Sequence, residues 1–246
     1  MMDKTTKVTK TLAALFAILL IASLLASCKS SKKILPETSE TASATKKTAS
    51  ADDFAEINFD TDKNEADFGY KGEKGSPLAA VKIKDYGFFI IRLEKEIAPA
   101  TVDNFIKLVK EGFYDNNYIT HSFYGHSIRG GDKTGTGDGG AGYTIKGEPY
   151  GEGERKLSGN AGKSGAVSMY RTDEGDYDSA SSQFIVMIGS DPSYNGKYCE
   201  FGEVIYGMET LWDISKVNFS NIESEETAKL IKNLVIEKVL IDMNEG

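Results

Sequence analysis

Apolar and polar residues alternate through Ala80-Val81-Lys82-Ile83-Lys84, and an apolar run Gly87-Phe88-Phe89-Ile90-Ile91-Arg92-Leu93 follows the turn at Asp85-Tyr86-Gly87. A period of two on either side of a short turn predicts a β-hairpin. The pattern then changes to helical spacing. Val102, Phe105, Ile106 and Val109 stand at i, i+3, i+4 and i+7, with Pro99 suited to a first turn and Gly112 to a stop, so the segment Ala98–Gly112 is predicted as a helix. From 118 to 206 short apolar runs are separated by glycines, which is the pattern of a β-sandwich or barrel. Ala166–Met169, Gln183–Ile188 and Glu200–Ile205 are its strand candidates. A second helix is expected over Met208–Lys216, carrying the single tryptophan, Trp212. A shorter helical piece around Glu225–Leu234 precedes a last strand, Val235–Ile241. No internal repeat is visible.

The start of the chain follows another logic. Lys4, Lys7 and Lys10 precede an uninterrupted apolar-to-small run from Leu12 to Ala26, closed by Leu25-Ala26-Ser27-Cys28. A basic region, a short apolar region and small residues before a cut are the parts of a secretory signal. The run is shorter than the roughly 20 residues that span a bilayer comfortably. Its ending resembles a bacterial lipobox, in which the cysteine thiol takes a diacylglycerol and becomes the new N-terminus. A plain membrane anchor or an ordinary cleaved signal are the other readings. The expectation is a signal peptide at 1–27, then a lipidated Cys28 with a tether and lead-in over 28–76, and one domain over 77–246. The tether, Lys29 to about Asp53, is Ser-, Thr-, Ala- and Lys-rich without apolar periodicity, as disordered spacers are. Residues 54–76 scatter aromatics among acids and glycines and read as a loose lead-in that packs in part on the domain.

Composition narrows the function classes. The 246 residues carry 29 basic and 37 acidic side chains, and loss of residues 1–27 leaves 26 and 36, a net charge of −10. That balance argues against a nucleic-acid binder, which needs clustered cations to displace counterions from phosphate. Two cysteines make no disulfide framework, and Cys199 reads as a small buried hydrophobe. The expected setting is extracytoplasmic, membrane-anchored through Cys28.

Several short motifs fail their structural tests. Gly135-Thr136-Gly137-Asp138-Gly139-Gly140 fits GxGxxG, but strand-like Tyr143-Thr144-Ile145 follows it where a helix is required. Gly162-Lys163-Ser164 lacks the first P-loop glycine, since Leu157 stands there. Gly125-His126-Ser127-Ile128-Arg129 misses the nucleophile-elbow pattern at its fifth position. The acids Asp173, Glu174, Asp176 and Asp178 lack the remainder of a calcium loop. The only histidines, His121 and His126, have no further ligands at zinc spacing.

A longer series of blocks holds together. Ala98-Pro99-x-Thr101-Val102-x-Asn104-Phe105, Gly112-Phe113-Tyr114-Asp115 and Ile128-Arg129-Gly130-Gly131-Asp132-x-Thr134-Gly135-Thr136-Gly137 stand in order. Gly165–Met169, Ser182-Gln183-Phe184-Ile185-Val186 and Phe201-Gly202-Glu203-Val204-x-x-Gly207-Met208 follow them. Over about residues 78–241 the chain resembles a cyclophilin of the compact bacterial type. The resemblance implies a mainly-β fold, a closed eight-stranded antiparallel barrel capped by two α-helices, and peptidyl-prolyl cis/trans isomerase activity. It implies no cofactor and no metal. It also implies proline-containing polypeptides as partners, met by a monomer assisting the folding of exported proteins.

The chain departs from the family at the site. The family's catalytic arginine aligns with His121, preceded by Thr120. Its pocket phenylalanine and methionine become His126 and Ser127, and the glutamine of the Gln-Gly-Gly-Asp block becomes Arg129. Met169, Gln183 and Phe184 are retained. The next pocket phenylalanine is Ile185, an asparagine becomes Arg171, and a leucine and a histidine become Tyr194 and Tyr198. On this alignment the catalytic candidates are Arg129, His121 and Gln183. Thr120, His126, Ser127, Met169, Arg171, Phe184, Ile185, Tyr194 and Tyr198 are the candidates for substrate binding. Two accounts follow. Either the Arg129 guanidinium replaces the missing arginine, or the barrel is a weak or non-catalytic module that binds proline-containing segments as a chaperone or adhesin.

Overall fold

The hairpin expected near residue 80 is the first element of the barrel. In the computed structural model, which describes residues 49–148, 160–216 and 228–245, the strands are β1 (Leu78–Ile83), β2 (Gly87–Leu93), β3 (Asn117–Phe123) and β4 (Ser127–Gly130), followed by β5 (Ala166–Arg171), β6 (Ala180–Met187), β7 (Cys199–Tyr206) and β8 (Lys229–Asp242). They close in the order β1-β2-β7-β5-β6-β4-β3-β8, with all neighbouring strands antiparallel. The expected closed eight-stranded barrel with two helices is therefore the fold. Closure leaves no free sheet edge.

Helix α1 (Pro99–Lys110) turns Val102, Phe105, Leu108 and Val109 into the main core. Its N-cap, Ala98, has no side chain to offer, so the first amides find a distant acceptor. Glu148 accepts from Thr101 N at 2.9 Å and from Thr101 Oγ1 at 2.7 Å, which satisfies orphan donors where the helix dipole favours an anion. At the other end Gly112 sits at φ +69° and Phe113 N bonds Leu108 O at 2.9 Å. That left-handed exit is why a glycine stands there. Helix α2 (Met208–Lys216) buries Leu211 and Ile214 and leaves Trp212 exposed.

One expected element differs. Residues 229–234 were predicted as part of a helical piece, yet they form the first half of β8, while 225–227 lie outside the described residues. The cause is long-range. Leu234 and Ile236 pair with Ile119 and Asn117 of β3, while Ile236 through Asp242 pair with β1, so this one strand closes the barrel. Helical spacing of Leu230 and Leu234 is overridden by that pairing. Tyr143–Ile145 is likewise not a strand; Ile145 N bonds Ala180 O from an irregular loop.

The lead-in packs on the outside of the barrel. Phe68 is fully buried and Tyr70 nearly so, in a second apolar cluster with Leu78, Ala80, Ile90, Ile205 and Leu240. Glu65 makes a parallel bridge to Ile241, and Phe68 N donates to Asp242 Oδ2 at 2.9 Å. The tether residues before Ala49, the apolar run and Cys28 lie outside the described residues.

Candidate functional site

Strands β3 and β4 are paired with His121 opposite Arg129. Side chains two apart on a strand share a face, so His121 leads to Phe123 and Arg129 to Ser127. Arg129 is also opposite Ile185 of β6. On β5 the register slips between Met169 and Arg171, and Tyr170 stands in the interruption. With Tyr194 and Tyr198 from the β6–β7 connection, these side chains line a cleft of about 310 Å³. Ile185 and Tyr198 belong to a small apolar cluster with Ala161, Ala166 and Met187, which supports that wall.

The Arg129 guanidinium is the cation that lines this cleft. Its carbon lies 3.9 Å from the centroid of the Tyr170 ring, a cation–π contact. Nε and Nη2 donate to His121 Nδ1 at 3.2 and 2.8 Å, and Nη2 is also 2.6 Å from Nε2. A guanidinium has no acceptor, so the imidazole must accept. Burial and then the Arg129 charge lower the His121 pKa to about 3, with Lys229 adding to the effect and Asp132 opposing it. His121 is therefore neutral at ordinary pH. It cannot supply the positive charge that the cyclophilin resemblance places at its position; Arg129 stands opposite it on β4 and lines the same cleft.

The loop after β4 holds this pair in place. Asp132 accepts from Thr134 N at 2.8 Å and from Gly137 N at 2.7 Å, and hydrogen bonds hold its carboxyl below the usual range against the opposing effect of burial. The glycine-rich run is thus folded around a carboxylate and not around a phosphate. Gly137, at φ +92°, lies where an added Cβ would come 2.7 Å from His121 Cε1. Burial raises the phenol pKa of Tyr194, and that of Tyr198 to about 12, so both are neutral hydrogen-bonding aromatics.

The structure brings His121, Ser127, Arg129, Ile185, Tyr194 and Tyr198 to the cleft. The other candidates lie elsewhere. Met169 and Phe184 point into the main core. Thr120 is fully buried with Oγ1 at 2.9 Å from His121 Nδ1. Gln183 is buried and donates to the carbonyls of Gly137 and Gly139 at 3.0 and 2.8 Å, anchoring the loop that packs on His121. Arg171 is buried, with Nη1 on Glu174 O at 2.9 Å and its guanidinium carbon 4.4 Å from the Tyr177 centroid. His126 sits at the cleft margin, 2.9 Å from Ser127 Oγ. Two lining residues escaped the sequence reading, Phe123 and Tyr170. Alternation from His121 pointed to the first, and alternation away from buried Val167 and Met169 pointed to the second.

An aromatic and aliphatic wall facing one guanidinium suits a ligand with a small apolar ring beside a carbonyl. Among the described residues no group of three or more His, Cys, Asp or Glu side chains could hold a metal ion. The family described as cyclophilin type peptidyl-prolyl cis-trans isomerase/CLD matches residues 78–240. The chain belongs to this family. It is similar to peptidyl-prolyl cis-trans isomerase B of Bacillus subtilis, with 39% identity over 117 residues, covering 48% of this chain and 76% of that protein. It also resembles peptidyl-prolyl cis-trans isomerase CYP18-2 of Arabidopsis thaliana, with 29% identity over 67% of this chain and 97% of the relative. The solved cyclophilin type peptidyl-prolyl cis-trans isomerase of Cryptosporidium parvum superposes with a TM-score of 0.56 at 29% identity, covering 68% of this chain and 97% of that one. The same protein in the presence of the dipeptide Ala-Pro gives 0.55, also at 29%, covering 67% and 98%. This cyclophilin is an enzyme of the isomerase class.

Proposed function

We propose that this cyclophilin isomerises X–Pro bonds with Arg129 as the cleft's polarising donor. Rotation about an amide faces roughly 18–20 kcal/mol because of resonance, and no bond need be broken to lower it. A catalyst has only to bind the twisted amide better than either planar form. Phe123, Ile185, Tyr194 and Tyr198 hold the pyrrolidine ring. The Arg129 N–H groups hold the carbonyl beside it and favour the localised charge of the twisted amide. The single observation that carries the reading is the Arg129 guanidinium, stacked on Tyr170 and hydrogen-bonded to a neutral His121 inside the cleft. Support for proline-containing peptides as substrates comes from the Ala-Pro dipeptide named with the Cryptosporidium relative. Exchange spectroscopy on an Ala-Pro peptide tests the proposal directly. Catalysed cis/trans exchange is expected, and peptide binding without acceleration would overturn it in favour of a binding module.

The chain acts, on this reading, as a monomer on polypeptides emerging outside the cytoplasmic membrane, where slow X–Pro isomerisation limits folding. The support is the signal-like segment, Lys4 to Ala26, ending at Cys28. Incorporation of a labelled fatty acid, lost in Cys28→Ala, is the expected result; labelling that persists in that variant would contradict lipidation at Cys28.

A further inference from the structure

The residues Gly125-His126-Ser127-Ile128-Arg129 miss the nucleophile-elbow pattern, and Ser127 opens a strand and not a strand–turn–helix. Its surroundings nevertheless hold an imidazole and a carboxylate within hydrogen-bond reach in series. His126 Nδ1 lies 2.9 Å from Ser127 Oγ, and His126 Nε2 lies 3.2 Å from Asp191 Oδ2. Asp191 is fixed in turn, because its Oδ1 accepts from Ser193 N at 2.9 Å at the start of the turn Pro192–Tyr194. Hydrogen bonds from Ser193 and then from His126 lower its pKa, so it stays an acceptor. An ionised carboxylate accepts only, which puts the imidazole proton on Nε2 and leaves Nδ1 free to accept from the serine hydroxyl. Nucleophile, base and orienting acid are therefore in contact, with the two imidazole nitrogens exchanged relative to the usual triad. Ser127 lines the cleft, and Arg129 lies two residues along the same face of β4.

We propose that Ser127, His126 and Asp191 form a second, hydrolytic centre that acts on esters of small acyl groups. Ser127 Oγ bonds to the ester carbonyl carbon while its proton passes to His126 Nδ1. The carbonyl oxygen takes the negative charge on the side that Arg129 occupies. Collapse breaks the bond to the alkoxy oxygen, which leaves with the proton from His126. Water then attacks the acyl-serine with His126 again as base, returning free Ser127 and a carboxylic acid. The small size of the acyl group follows from the near-complete burial of Ser127 beneath the cleft wall. This reading does not rest on isomerase activity, and either can fail alone.

The test is p-nitrophenyl acetate with the full chain, followed by mass spectrometry of the quenched protein. An acetyl adduct on Ser127 is expected. It should be absent in Ser127→Ala, and in Asp191→Asn it should form more slowly by on the order of 10²-fold. Thermal melts of both variants separate loss of chemistry from loss of fold, and the site of the adduct in the parent protein is independent of either variant. Acetylation confined to lysines or tyrosines, or release of p-nitrophenol at the same rate in Ser127→Ala, would overturn the proposal.

Discussion

Replacing Tyr170 by leucine removes the ring on which Arg129 rests while keeping an apolar side chain in the cleft. The guanidinium carbon is 3.9 Å from the ring centroid, and the cleft partly shields the contact from water. Cation–π contacts contribute about 0.5–1 kcal/mol when exposed and about 2 when desolvated. With a tenfold change for every 1.4 kcal/mol, Tyr170→Leu should lower kcat on an Ala-Pro peptide by about 2- to 30-fold. The effect belongs in kcat, because Tyr170 acts here as a positioning residue for the donor. A double-mutant cycle makes this strict. In an Arg129→Ala background the Tyr170 substitution should change nothing further, since no guanidinium remains to be positioned. Exchange spectroscopy measures all four proteins under one set of conditions. Equal losses from Tyr170→Leu with and without Arg129 would refute the reasoning and make Tyr170 a direct substrate contact, as would a change confined to KM.

Three further outcomes follow from other parts of the molecule. Phe68→Ala, which empties a fully buried site in the outer cluster, should cost about 3–5 kcal/mol in denaturant unfolding, and an unchanged midpoint would show that the lead-in adds nothing to stability. Burial, and then Glu203, raise the Glu200 pKa to about 7, above its ordinary value of 4.5. The folded state therefore binds the extra proton, and stability falls as pH rises from 4.5 through about 7. Glu200→Gln should melt higher than the parent at pH 8 and show little difference at pH 4.5; a difference that does not vary with pH would contradict this. Gly137→Ala strains a φ of +92° and drives a Cβ toward His121, so it should cost about 1–3 kcal/mol and reduce turnover, read by melting and by exchange on the same sample.

The first hairpin, several later strands and the first helix were legible from their own periodicity, starts and stops, whereas the closed eight-stranded barrel came from the cyclophilin resemblance and β3 and β4 were not read as strands. Residues Leu78–Leu93 and Pro99–Lys110 needed no distant information. Residues 229–234 were misread because their strand conformation is set by partners on β3, more than a hundred residues earlier. The same limit applies to the site. Aligned positions named Met169, Phe184 and Ile185, but side-chain direction sends the first two inward, and Tyr170 joins Ile185 in facing the cleft. The pairing of His121 with Arg129 depends on the β3–β4 register, and the contact of His126 with Asp191 depends on a loop 65 residues away. Residue types suggested the chemistry, and only the closed barrel showed which groups share it.

The central claim is that the working guanidinium has passed from the β3 position, now a neutral histidine, to Arg129 on β4. Measuring kcat/KM for an Ala-Pro peptide with the parent protein and Arg129→Ala tests it most directly. The account predicts a loss of roughly 10²- to 10³-fold, about 2.7–4 kcal/mol of transition-state stabilisation, with the melting behaviour of a folded barrel. An Arg129→Ala protein that isomerises the peptide as fast as the parent would contradict it.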